Sequence, residues 1–205
     1  MSESYIQVPG DSGGKKVRTI QKTVSAQVVQ SQSQFHIRDS RRAILGSYAV
    51  VTPEVTTTLV TDYRIASMFN TNASKKMVVK RIIVSNRCAA ASAVNNIQIR
   101  FLTVDVTGTD ISANIVKKDS TDPASIATVK HTAVQTGTLG GVIAAYAKTG
   151  TASGSSELIC DYNMANQSVE EDEIILNQNE GVVVTKLLAG DVDDRFVVVF
   201  EWEEY

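Results

Sequence analysis

The chain has 205 residues, 43% of them hydrophobic, with a formal net charge of -2 and a pI near 5.7. That is enough apolar mass to fill the core of one large domain, and it leaves no global basic field, which argues against bulk nucleic-acid binding. No apolar stretch approaches the roughly 18–20 residues of a membrane span, and the opening MSESYIQVPGDSGGKK is too polar for a signal peptide.

The first forty residues differ from the rest. KKVRTIQKTVSAQVVQSQSQFHIRDSRR is rich in Gln, Ser and Val and carries little large apolar mass. Val17, Ile20 and Val24, then Val28 and Val29, alternate with a slipped register. The segment reads as an extended N-terminal arm over residues 1–42, partly strand, that leans on a neighbour; an edge hairpin of the main domain is the other reading. From about residue 43 the pattern becomes strand, turn, strand. AILGSYAVV and VTTTLV flank Pro53, which suits an edge or a break. YRIASMFN runs into the polar turn NTNASKK. In KMVVKRIIVSN, Val78, Lys80, Ile82 and Val84 share one parity and Val79, Arg81 and Ile83 the other, so both faces are at least half buried.

NNIQIRFLTVDV alternates: Ile97, Ile99 and Phe101 point one way, Gln98 and Arg100 the other. That is the period-2 mark of a sheet with one wet face. GTDISANIVKKDSTDPAS reads as a loop with a short strand near Ile115, and SIATVKHTAV as a strand. TGTLGGVIAAYAKTGTASGSS has few large side chains and reads mostly as loop, with a short helix over Val142 to Ala147 as the alternative. ELICDY is a short strand, and the remainder reads as three strands joined by NQNEG and AGDVDD, with Gly181 and Gly190 supplying turn geometry. The last strand holds the run Phe196 to Phe200 and the only tryptophan, Trp202. Chain ends usually fray, so a strand this apolar has to pair inside a sheet. Many strands at intervals of about 8–12 residues with almost no helix specify an all-β fold: an antiparallel β-sandwich, jelly-roll-like, over residues 43–205, with the arm at 1–42.

Little in the sequence points to chemistry. His36 and His131 have no second His or Cys at ligand spacing. Asp191, Asp193 and Asp194 in DVDD can offer oxygens to calcium, but the loop lacks the D-x-D-x-D-G series and its distal Glu, so it reads as a solvated turn. Glu170 to Glu173 reads as surface charge. A sugar-cleaving groove needs paired carboxylates in an aromatic cleft; aromatics are 6% and scattered, with Tyr146 and Tyr162 the candidates for a sugar-binding patch. Cys88 and Cys160 read as two buried thiols in a reducing compartment, a disulfide being the alternative. Lys15, Lys16, Arg18, Arg38, Arg41 and Arg42 make the amino-terminal part basic while the carboxyl terminus is acidic, an asymmetry that favours head-to-tail contact between subunits or docking on an acidic lattice, ordinary surface charge being the other reading. These six are the candidate partner-binding residues. No enzyme and no cofactor is expected.

Four stretches carry a family likeness: YIQVPGDSGGKKVRT, IASMFNTNASKKMVVKRIIVSN, VKKDSTDPASIATVKHTAVQTG and DEIILNQNEGVVVTKLLAGDVDDRFVVVFEWEE. Together they touch most of the chain, and none is a catalytic motif. The sequence resembles a group of small virion structural proteins of tailed bacteriophages. The resemblance implies a β-sandwich that assembles on a phage particle, as a capsid decoration or cement protein bound to the major capsid protein. The alternative it implies is a neck, tail, baseplate or fibre adaptor. It also implies a homo-oligomer, with trimers the usual choice, made in the host cytoplasm and located in the virion, with partners that are protein and include neither nucleic acid nor membrane.

Overall fold

The computed structural model describes residues 3–7, 16–24, 27–32, 44–56, 62–87, 94–131, 136–149, 156–163, 173–188 and 194–205. The chain divides into two compact units, Met1–Arg42 and Ala43–Tyr205. In the first, expected as a partly stranded arm, β1 (Glu3–Gln7), β2 (Lys16–Val24) and β3 (Gln27–Gln32) pair antiparallel in that order. These pairings are local in sequence, with Val24 opposite Gln27 and Gln7 opposite Lys16.

The second unit is a sandwich of two antiparallel sheets. Its strands are β4 (Gly46–Val51), β5 (Val55–Thr56), β6 (Tyr63–Asn70), β7 (Met77–Arg87), β8 (Val94–Val104), β9 (Thr109–Asp110), β10 (Val116–Lys117), β11 (Ala127–His131), β12 (Thr138–Thr149), β13 (Glu157–Asn163), β14 (Ile174–Leu176), β15 (Glu180–Lys186) and β16 (Arg195–Glu204). The first sheet runs β10-β4-β16-β7-β13, with β14 beside β7 and β5 beside β16. The second runs β12-β8-β15-β6-β11-β9. Four nested pairs define the topology: β4 with β16, β6 with β15, β7 with β13 and β8 with β12. One long antiparallel ribbon has been rolled so that its successive pairs fall alternately in the two sheets. That is a jelly roll, as the strand spacing predicts.

The position of β16 explains the apolar carboxyl terminus. It lies between β4 and β7, so every second side chain enters the core: Phe196, Val198, Phe200 and Trp202 are all buried. Tyr48 stacks on Trp202 with ring centroids 5.7 Å apart. Glu204 closes this end. Its Oε1 accepts from Ser125 Oγ at 2.6 Å, Ile126 N at 3.0 Å and Trp202 Nε1 at 3.2 Å. The backbone of Tyr205 exchanges two hydrogen bonds with Lys76.

The opposite wall of the core comes from Ile65, Met68, Ile97, Ile99, Val129, Val182 and Val184 of the second sheet. At one margin the Lys186 ammonium forms a fully buried ion pair with Asp194, and its nitrogen lies 5.2 Å from the centre of the Phe196 ring.

Four local readings of the sequence change. Residues 138–149, read mostly as loop, are the long edge strand β12; nine of its residues pair with β8 across three register shifts, and that pairing outweighs weak local preference. In β7 the pairing skips Lys80 between Arg81 and Val79, so Val79, Ile82 and Val84 share the core face, which strict alternation does not give. Phe101 does not follow Ile97 and Ile99 into the core and is 37% exposed, whereas Leu102, on the face read as wet, is fully buried. In NQNEG the left-handed residue is Asn179 (φ 61°), while Gly181 lies inside β15, where a Cβ would come within 2.5 Å of the Met68 carbonyl oxygen. Gly190 is outside the described residues.

Candidate functional site

The two outer faces of the sandwich handle charge in opposite ways. On the first sheet, charges are paired off. Arg81 holds Asp161 through two hydrogen bonds of 2.7 and 2.6 Å, Lys118 holds Glu201 at 2.5 Å, and Lys80 lies between Glu173 at 2.7 Å and Glu203 at 3.1 Å. These partly exposed pairs, three cations against four carboxylates, cancel most of the charge and contribute little stability each.

The second sheet presents arginines instead. On β6, Tyr63 and Ile65 belong to the core, so Arg64 between them faces out. The pairing then skips Ile65 between Val184 and Thr185, an irregularity that puts Ile65 and Ala66 both in the core and leaves Ser67 outward. Across the sheet, Thr185 lies opposite Arg64 and Gln98, and Val183 lies opposite Ser67 and Arg100. Arg64, Thr185, Ser67 and Arg100 thus occupy two adjacent rows of one face. Arg100 is tied down: its Nε and Nη2 donate to the Gly140 carbonyl at 3.3 and 3.0 Å. Arg64 is only 9% exposed, yet its Nε and Nη1 have no hydrogen-bond partner. The buried hydroxyls of Ser67 and Thr185 have none either. Burial pushes the Arg64 pKa down; Asp62 nearby opposes that shift and the positive charge of Arg100 adds to it.

An apolar patch adjoins these rows. Phe69, Leu102, Val106 and Val183 form a second buried cluster with Leu139 packed against it. Lys130, opposite Ser67 on β11, is occupied by Asp105 at 2.5 Å and the Val106 carbonyl at 2.8 Å. The face therefore holds a desolvated guanidinium, a second guanidinium and two hydroxyls without partners beside a buried apolar cluster. Such a set suits a planar or tetrahedral oxyanion.

The residues singled out from sequence lie elsewhere. Lys16 and Arg18 fall on β2 of the first unit, while Lys15, Arg38, Arg41 and Arg42 are outside the described residues. Asp191 and Asp193 are also outside them, and Asp194 is committed to the buried pair with Lys186. Among the described residues, no three His, Cys, Asp or Glu side chains converge on a metal position. His36 is outside the described residues, and His131 is half-buried on β11, its pKa lowered by that burial. Tyr146 and Tyr162 pack against the main core instead of forming an exposed platform. Cys160 is a free, buried thiol whose pKa burial pushes up to about 11; Cys88 is outside the described residues. The arginine face was not among the sequence candidates. Its one signal is Arg64 itself, the one charged residue in a strand that is buried throughout.

No family model matches the chain, and comparison with curated proteins and solved structures finds no match. No helix among the described residues is long and apolar enough to cross a membrane.

Proposed function

We propose that the chain is a virion structural protein, a decoration or cement protein that stabilises a phage shell by contacts between its own copies and with the major shell protein. The observation that carries this reading is the division of charge between the two compact units. Residues 1–42 hold seven Lys and Arg against three Asp and Glu, a net charge of +4; residues 43–205 hold 13 against 19, a net of -6. A basic unit on one copy and an acidic domain on the next attract head to tail, and repetition over a lattice multiplies contacts that are individually weak. The strand-built first unit suits this role, because strands can add to a neighbouring sheet edge through backbone hydrogen bonds. Lys15, Lys16, Arg18, Arg38, Arg41 and Arg42 would supply the basic contacts. No catalytic step or cofactor enters this reading.

Quantitative mass spectrometry of purified particles tests it, by counting this chain against the major shell protein. A ratio of one, or a simple fraction of one, is expected. A handful of copies per particle would move the protein to the neck, tail or fibre. Absence from the particle would refute the virion reading.

A further inference from the structure

We propose that the outer face of the second sheet carries an oxyanion-binding site, in which Arg64 and Arg100 hold a carboxylate or phosphate group and the hydroxyls of Ser67 and Thr185 donate the remaining hydrogen bonds. The proposal does not depend on the virion reading, because it concerns what this face binds and not where the protein resides.

Three observations converge. First, Arg64 is nine-tenths buried with Nε and Nη1 unpartnered, although a buried cation normally keeps its partners or is replaced. Second, the hydroxyls directly opposite it and farther along the same strand, on Thr185 and Ser67, are fully buried and equally unpartnered. The large majority of buried side-chain polar atoms have a hydrogen-bond partner, so four without one on a single face mark a missing partner that accepts hydrogen bonds. Third, Arg100 is close enough to add to the unfavourable field at Arg64, and the nearby Asp62 carboxylate forms no hydrogen bond with the two unpartnered nitrogens. Asp62 offsets part of the unfavourable field at Arg64 without bonding to those nitrogens, so an anion that does bond there stabilises both guanidiniums.

A hydroxyl or carbonyl ligand would meet the hydrogen-bond demand but not the charge; an oxyanion meets both. An unpartnered guanidinium N–H donates a charge-assisted hydrogen bond to an oxygen of either a carboxylate or a phosphate. The adjoining Phe69, Leu102, Val106 and Val183 keep water away from the contact, as the rim of an interface does around a central arginine.

The test is a titration of the full chain with inorganic phosphate and, separately, with acetate, following the Nε–H resonances of Arg64 and Arg100 by NMR. Sodium chloride at matched ionic strength is the control. Saturable shifts of both resonances are expected with at least one anion and not with chloride. A response to acetate identifies a carboxylate, the group an acidic partner segment would supply; a response to phosphate alone identifies a phosphorylated or free phosphate ligand. Arg64→Met is expected to abolish the saturable shift at Arg100 and at the same time to raise the melting temperature, because it removes a desolvated charge. Arg100→Gln, whose side chain is partly exposed, is expected to weaken the Arg64 response at least about tenfold, the loss of one charge-assisted hydrogen bond. Resonances that move no more with phosphate or acetate than with chloride would overturn the proposal. So would an Arg64→Met variant that is folded but less stable, since that would mean the guanidinium is already satisfied within the fold.

Discussion

The Lys186–Asp194 pair offers the sharpest test of how the sandwich tolerates charge in its interior. The two side chains are 1% and 2% exposed, and the ammonium also faces the Phe196 ring at 5.2 Å. Removing one member leaves the other desolvated, which costs about 3–5 kcal/mol. Total stabilities are of the order of 5–15 kcal/mol, so Lys186→Met or Asp194→Asn alone is expected to bring the domain close to unfolding. Asp194→Asn keeps the cation over Phe196, an interaction of about 2 kcal/mol when desolvated, and is the milder of the two. The double variant Lys186→Met with Asp194→Asn removes both charges and is expected to be less destabilised than the sum of the two single variants. Urea denaturation followed by the fluorescence of Trp202, the only tryptophan, measures all four corners of the cycle. Two single variants that each lose under about 1 kcal/mol, or a double variant as unstable as the sum of the singles, would refute the reasoning, because then the pair would behave as a solvated surface bridge.

Two further expectations follow from the core. Deleting residues 196–205 removes the strand between β4 and β7 together with Phe196, Val198, Phe200 and Trp202, each worth roughly 1.5–3 kcal/mol of burial; the truncated chain is expected not to fold, and a soluble product with an intact β-type circular dichroism spectrum would contradict this. Burial raises the Cys160 thiol from its ordinary 9.0 to about 11, so the folded state favours the neutral form; its contribution to stability is complete below pH 9 and is lost as pH rises through about 11. In a Cys88→Ser background, alkylation of Cys160 by iodoacetamide at pH 8 is expected to track global unfolding in urea, and rapid modification of the native protein would show that the thiol is accessible.

Much of the fold is legible in the sequence because burial leaves a period-2 trace. Phe196 to Trp202 announce a central strand by their mass alone, and Ile97 and Ile99 by their alternation. What alternation cannot carry is a strand stabilised by its partner: β12 is mostly Gly, Ala and Thr, and becomes a strand by pairing with β8. Nor can it carry the irregular steps at Lys80 and Ile65, which change the face of everything beyond them. The candidate site falls into this gap. Arg64, Ser67, Arg100 and Thr185 come from three strands that are distant in sequence, and none belongs to a motif. Only the order β8-β15-β6, set by the rolled ribbon, makes them neighbours.

The rolled ribbon also sets a timetable for synthesis. Gly46 pairs with Glu204 and Val51 with Val199, so β4 waits for almost the whole remaining chain before its main partner exists. At about 5–20 residues per second, the ribosome delivers β16 roughly 8–30 s after β4. Over that interval the slot between β4 and β7 stands open, with Tyr48, Val50, Ile82 and Val84 lacking their cover. The pairings of β1, β2 and β3 need no residue beyond Gln32, so the amino-terminal sheet has all its strands long before the sandwich can close. The nascent protein therefore spends its most aggregation-prone seconds with one unit's pairing partners all in hand and the other still unsealed, which makes closure by β16 the step that a chaperone or a fast translation rate would most affect.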